Sequence, residues 1–377
     1  MFGPMNECAT RIPVAEPALT DRELELVSEC VRTGWISSGG KYHDEFEARW
    51  AAYCGRKYGV AMSSGTAALE AAVQALGLGP GDEVVMPTFT IISCASAVAA
   101  VGARPVLVDA DPETWTMSPE LVAEKVSPGT RAIMPVHIYG HPVDMDPVLA
   151  IAKHHGLFVI EDAAEAHGAE YKSRRCGSFG ELSCFSFYAN KIVTTGEGGM
   201  VVTDDERLAA RLRGVRNLFF KVPRFHHDEL GHNFRMTNPQ AALGVAQLER
   251  IDAIVEKKRA IGAHYLARLA DQPKLELPVE RAWAKNVYWM FGVVLRDEAR
   301  IDAAELATRL ARSGVETRPF FLGMHAQPAL QSRGWFAGES YPVADRLARL
   351  GLYLPSGIGL SSAEIDRVCD ALDEALA

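Results

Sequence analysis

Apolar and polar positions alternate in blocks along the first two thirds of the chain. Short apolar runs at 59–62, 83–86, 105–108, 132–136, 157–160, 184–187 and 200–203 read as strands. Most are separated by stretches with helical spacing of apolar residues, at 67–76, 91–101, 147–155 and 205–213. Continuous apolar runs mark strands covered on both faces, and their alternation with helices predicts a largely parallel α/β sheet. Pro239 opens a long helical region, from 241 to about 270, that leads out of this layer. A linker follows at 271–278, then a strand at 287–295, a helix at 303–312, a short strand around Val315 and two further helices. The division expected is a large α/β domain over 1–250, with an N-terminal arm, and a small α+β domain over 251–377.

One lysine stands out against this pattern. In Ser183-Cys-Phe-Ser-Phe-Tyr-Ala-Asn-Lys191 an apolar run ends at the lip of the sheet, and the glycine-rich turn Thr195-Gly-Glu-Gly-Gly199 leads into the next strand. Lys191 is bracketed by Phe185, Phe187, Ile192 and Val193, whereas surface lysines ordinarily lie on polar helix faces. Desolvation lowers a lysine's proton affinity and frees its amine to attack a carbonyl. Taken alone, the same position suits a lysine that buries its stem at a strand end and keeps its ammonium in water.

Two other segments decide between these readings. The apolar run 157–160 is followed by Glu161-Asp162-Ala-Ala-Glu165, which puts Asp162 at the carboxyl end of a strand, where open α/β sheets bind ligands. The segment Ser63-Ser64-Gly65-Thr66 joins a strand to an alanine-rich helix, and a helix N-terminus with small hydroxyl residues is an anion site. An amine, a phosphate cradle and a carboxylate to keep a pyridine nitrogen protonated are what pyridoxal 5'-phosphate requires.

These motifs, together with Gly34-Trp-Ile-Ser-Ser-Gly39, Gly81-Asp-Glu-Val-Val-Met-Pro-Thr88, Pro135-Val-His-Ile-Tyr-Gly140 and Asn233-Phe-Arg-Met-Thr-Asn238, fall in order along nearly the whole chain. The chain resembles the DegT/DnrJ/EryC1/StrS sugar aminotransferases, within the fold-type-I pyridoxal-phosphate enzymes. The resemblance implies an aspartate aminotransferase-like α/β fold with a mostly parallel central sheet flanked by helices. It implies that Lys191 forms an aldimine with the cofactor and shuttles the proton, that Asp162 pairs with the ring nitrogen, and that Glu165 lies near the phenolic oxygen. Ser64, Gly65, Thr66 and Ser186 would hold the phosphate, with Asn233 reaching it from a neighbouring subunit of a homodimer with shared sites. His325, Arg318 and Trp35 are candidates for contact with substrate. Many relatives place an aromatic residue where this chain has Ile91, so either an aliphatic face replaces the usual stacking ring or Phe89 takes its place. The implied reaction is ping-pong transfer of an amino group from glutamate to a nucleotide-linked keto-deoxysugar, GDP-4-keto-6-deoxymannose at C4. A dehydratase on the same scaffold commonly carries histidine at the lysine position, and a non-catalytic regulator commonly lacks the lysine or the acid. Lys191 and Asp162 count against both.

Composition narrows the setting. A net charge of −9 lacks the basic field that general nucleic-acid binding needs. Seven cysteines without a C-x-x-C pair read as reduced thiols, the N-terminal residues lack a leader peptide's pattern, and no apolar run is long enough to span a bilayer. A cytoplasmic protein is expected. His154-His155 suits a helix C-terminus, and His226-His227-Asp228 with His232 lacks zinc-ligand spacing, so no metal is expected. Lys221 and Arg224 in that loop are further candidates for a diphosphate, Gly77-Leu-Gly-Pro-Gly81 reads as a turn, and Trp283, Tyr288, Trp289 and Phe291 read as core of the small domain.

Overall fold

The computed structural model describes residues 11–377, so the N-terminal stretch read as lacking a leader lies outside the described residues. The first strands are β1 (Tyr58–Met62), β2 (Glu83–Pro87), β3 (Arg104–Val108), β4 (Thr130–Ile133) and β5 (Phe158–Asp162). A small hairpin, β6 (Glu170–Tyr171) and β7 (Arg174–Arg175), precedes β8 (Leu182–Ser186) and β9 (Gly199–Thr203). Seven of these form one sheet in the order β1-β9-β8-β5-β4-β2-β3. Every pairing is parallel except those of β9, which runs antiparallel to both β1 and β8. A parallel return would need a crossover, usually helical, and the loop 187–198 contains no helix. The carboxyl ends of β1, β5 and β8 and the start of β9 therefore meet at one edge of the sheet.

The helices follow the expected alternation. Gly65–Ala75 starts directly after β1, and its buried Ala67, Ala68, Ala71, Ala72 and Ala75 let it lie close against β8 and β9. The N-terminal arm forms two helices, Asp21–Thr33 and Lys41–Tyr53, that pack on Asn238–Leu248. The long helix expected from 241 to 270 is in fact two, Asn238–Leu248 and Ile251–Leu269. Arg250 leaves helical geometry between them (φ −127°), and its guanidinium lies 2.8 Å from the buried carboxylate of Glu23. A tertiary ion pair, invisible to periodicity, thus breaks a pattern that reads as continuous.

After Leu269 the chain builds a second, antiparallel sheet from β10 (Leu275–Glu276), β12 (Phe291–Leu295), β13 (Arg318–Pro319) and β14 (Gly351–Leu354), in the order β10-β12-β14-β13. The intervening β11 (Ala284–Lys285) pairs instead with β6. The strand expected over 287–295 begins only at Phe291, because Tyr288 has φ 47° and its amide donates to Asn286 Oδ1 at 2.8 Å. One apolar cluster runs through both sheets, with Phe89, Trp115 and Phe320 at the junction. Among the described residues no helix is long and apolar enough to cross a membrane.

Candidate active site

The sheet edge where β1, β5 and β8 end opens into a cleft of about 330 Å³. Ser64, Gly65 and Thr66 line one side, Asp162 and Glu165 another, and Ser186, Asn190 and Lys191 a third. Of the residues proposed from sequence for catalysis and cofactor binding, all but Asn233 meet here.

The phosphate-cradle candidates sit at the start of the helix Gly65–Ala75, where Ser64, Gly65 and Thr66 line the cleft. Ser64 caps the helix, its Oγ accepting from the Ala67 amide at 3.1 Å. Thr66 Oγ1 lies 2.9 Å from Ser93 Oγ. Gly65 is required by space: a Cβ there would lie 2.6 Å from Ser186 Cβ. A Cβ on Gly199 would lie 2.2 Å from Ser64 O, so the start of β9 must also be glycine. Backbone and hydroxyl donors from a helix start and a strand end are thereby brought within one small space.

Side-chain alternation along β5 separates two adjacent carboxylates. Glu161 is fully buried and accepts from His137 Nε2 (2.8 Å), the Gly177 and Phe179 amides (2.5 and 2.9 Å) and Ser183 Oγ (2.7 Å). His137 Nδ1 accepts from the Val143 amide at 3.0 Å, so its Nε2 is the protonated nitrogen. Asp162 faces the cleft. It accepts from Cys94 Sγ at 3.1 Å and from the Ala164 amide at 3.0 Å. Burial pushes its carboxyl above the ordinary range, with Cys94, Ala164 and Lys191 pulling the other way. Burial also raises Glu165, 3.8 Å from Lys191 Nζ and accepting from the Tyr139 amide at 2.7 Å.

Lys191 lies on the loop between β8 and β9 with a side chain only 10% exposed. Burial lowers its proton affinity, and Glu165, Asp162 and Cys94 oppose that. Its ammonium rests 3.6 Å from the centroid of the Trp289 ring. Trp289 is thus not confined to the core of the small sheet, as expected: the left-handed backbone at Tyr288 turns it back into the cleft. Trp283 also departs from that expectation and packs on Tyr171 and His141. Phe321, Tyr353 and Tyr188 complete an aromatic wall. Sequence reading missed these residues because their apolar runs look like ordinary strands.

Of the remaining candidates, only Ile91 lines the cleft. Ile91 faces the cleft and is 40% exposed, whereas Phe89 is buried against Tyr139, Phe320 and Phe321. The cleft wall at this position is therefore aliphatic. Asn233 and Trp35 are exposed on the outer surface. Arg318 pairs with Glu316 and stands opposite Tyr353 on β14. His325 bridges Thr88 Oγ1 (2.8 Å) and Asp345 (2.9 Å). In the exposed loop, Lys221 pairs with Asp228 and Arg224 lies against Phe220 and Phe225.

The residues present fit pyridoxal phosphate. Asp162 is a buried carboxylate at the cleft with no cation within ion-pairing distance among the described residues, which suits a protonated ring nitrogen. Asn190 Oδ1, also at the cleft, is a buried oxygen without a protein partner.

Over 97% of this chain and 98% of its own length, GDP-perosamine synthase from Caulobacter vibrioides is 43% identical. The enzyme of that name from Escherichia coli O157:H7 is 41% identical over 96% of this chain and 98% of its own. The crystal structure of DesV from S. venezuelae in complex with a ketimine intermediate superposes with a TM-score of 0.90 at 36% identity, covering 98% of this chain and 99% of that one. Residues 17–373 match the DegT/DnrJ/EryC1/StrS aminotransferase family throughout, and the chain belongs to that family of pyridoxal-phosphate-dependent aminotransferases.

Proposed function

We propose that this enzyme moves an amino group from glutamate to C4 of a nucleotide-linked keto-deoxysugar, GDP-4-keto-6-deoxymannose. The observation that carries the reading is the single cleft in which a desolvated lysine amine, two buried carboxylates and a helix N-terminus converge. The GDP-perosamine synthases at 41–43% identity support the GDP-linked sugar.

Pyridoxal phosphate, when bound, supplies an electron sink and an aldehyde that carries the amino group between the two half-reactions. The amides of the first turn after Ser64, with Thr66 and Ser186, would hold its phosphate, and Asp162 would hold the proton on its ring nitrogen. Glu165 would face the phenolic oxygen, and Ile91 would provide an aliphatic surface. Lys191 Nζ would take a proton from the donor's Cα in the first half-reaction as general base, and would deliver a proton to the sugar carbon in the second as general acid. A lowered proton affinity suits that double role. Asn233 and Trp35, exposed on the outside, are available to a second subunit, as a homodimer with shared sites requires.

The test is the visible spectrum of the cofactor-loaded protein before and after glutamate, followed by product mass with GDP- and dTDP-linked keto sugars. Glutamate should convert the spectrum, and the GDP-linked sugar should gain the amino group faster. In Lys191→Ala both changes should vanish while the far-UV spectrum is retained. Amine transfer at the normal rate by Lys191→Ala would refute the assignment.

A further inference from the structure

Lys258, on the helix Ile251–Leu269, is a buried lysine that the chemistry above leaves unused. Its ammonium donates to the Trp289 carbonyl at 2.8 Å and to the Ser356 carbonyl, and among the described residues no carboxylate pairs with it. Burying an amine against carbonyls alone carries a desolvation cost that an apolar side chain would avoid. Its position is informative. Trp289 follows Tyr288, whose left-handed backbone interrupts the expected strand, so the Trp289 carbonyl lies outside the β12 ladder and takes its donor from Lys258.

From Trp289 two contacts lead to Lys191. The indole Nε1 donates to the Asn190 carbonyl at 2.8 Å, fixing the residue before the lysine. The same ring lies under the Lys191 ammonium, 3.6 Å from its centroid. A second, narrow cavity behind the cleft is shared by Lys258, Asn190, Lys191 and Trp289. We propose that Lys258 is a positioning residue for the catalytic lysine: by holding the Trp289 backbone it keeps the indole as the surface on which the Lys191 ammonium rests.

A cation over an aromatic face is stabilised by the ring's quadrupole, most strongly over tryptophan. The indole therefore helps Lys191 keep a proton. The other titratable groups facing that ammonium are Glu165, Asp162 and Cys94, which favour the proton, and His167, which burial keeps neutral.

The inference rests on Lys191 being the reactive amine, so its test reads that amine directly and not turnover. Cofactor-free full-length protein is treated with limiting acetic anhydride across a pH series, and label at Lys191 is quantified by peptide mass spectrometry. Only the unprotonated amine reacts, so the midpoint of the profile follows the Lys191 proton. Trp289→Leu should move it down by about one pH unit. Lys258→Met should move it the same way, and the double variant should shift no further than Trp289→Leu alone. An unchanged midpoint in Lys258→Met, or shifts that add in the double variant, would overturn the proposal. If Lys258→Met fails to fold by circular dichroism, Lys258→Gln replaces it under the same criteria. These outcomes are independent of whether the loaded enzyme accepts glutamate, so failure here is distinct from failure of the proposed function.

Discussion

Gly65→Ala tests the tightness of the phosphate cradle. The new methyl would lie 2.6 Å from Ser186 Cβ, 3.0 Å from its Oγ and 3.2 Å from its Cα. Carbon atoms pack at roughly 3.5–4.0 Å, so the helix start and the end of β8 must separate by about 1 Å. Overpacking of this kind costs ~1–3 kcal/mol. Alanine in a helix gains ~0.5–1 kcal/mol over glycine, so overall stability should fall by at most ~2.5 kcal/mol. The separation falls on the donors that would hold the phosphate, and the same energy in binding is a loss of about five- to 150-fold in affinity. Fluorescence titration with pyridoxal phosphate measures that loss, and thermal melts without cofactor report the stability. Ser186→Gly removes the colliding Cβ, so adding Gly65→Ala in that background should cost less than it does alone. Wild-type affinity in Gly65→Ala, or an equal loss in both backgrounds, would show that the close approach does not shape the site.

Other consequences follow from buried groups. Glu161→Ala leaves three donors buried without an acceptor, each worth ~1–3 kcal/mol, while Ser183 Oγ keeps the Phe179 carbonyl at 3.0 Å; it should lower the melting temperature steeply while Glu161→Gln lowers it less, and equal melting of all three proteins would contradict the network. Burial pushes His141 down to about 4. Its folded proton affinity is depressed, so its contribution is complete above the unfolded value near 6.5 and is lost as pH falls toward 4, at most about 3 kcal/mol. Urea unfolding at pH 7 and pH 5 should therefore show His141→Gln losing less stability on acidification than wild type, and identical losses would remove His141 as the cause.

Sequence and tertiary structure divided the information unevenly. The strand runs, the helix start at Ser64, the acid after β5 and the lysine after β8 were all legible in order, because each depends on local patterning and on the rule that α/β sheets gather ligands at strand ends. Membership of the family and the aminotransferase activity followed from the same residues. The sequence could not show that β9 turns back antiparallel, which is what places Gly199 against Ser64 and closes the cradle. Nor could it choose between Ile91 and Phe89, since both are apolar and only packing against Tyr139 and Phe320 decides which one is buried. The helix break at Arg250 depends on Glu23, 227 positions away. Trp289 is the clearest case. Its apolar neighbours read as strand and core, and only a left-handed turn at Tyr288, held by Asn286 and Lys258, carries its ring beneath Lys191. Local periodicity fixes which elements form; contacts between distant residues decide which side chains face the same few ångströms of space.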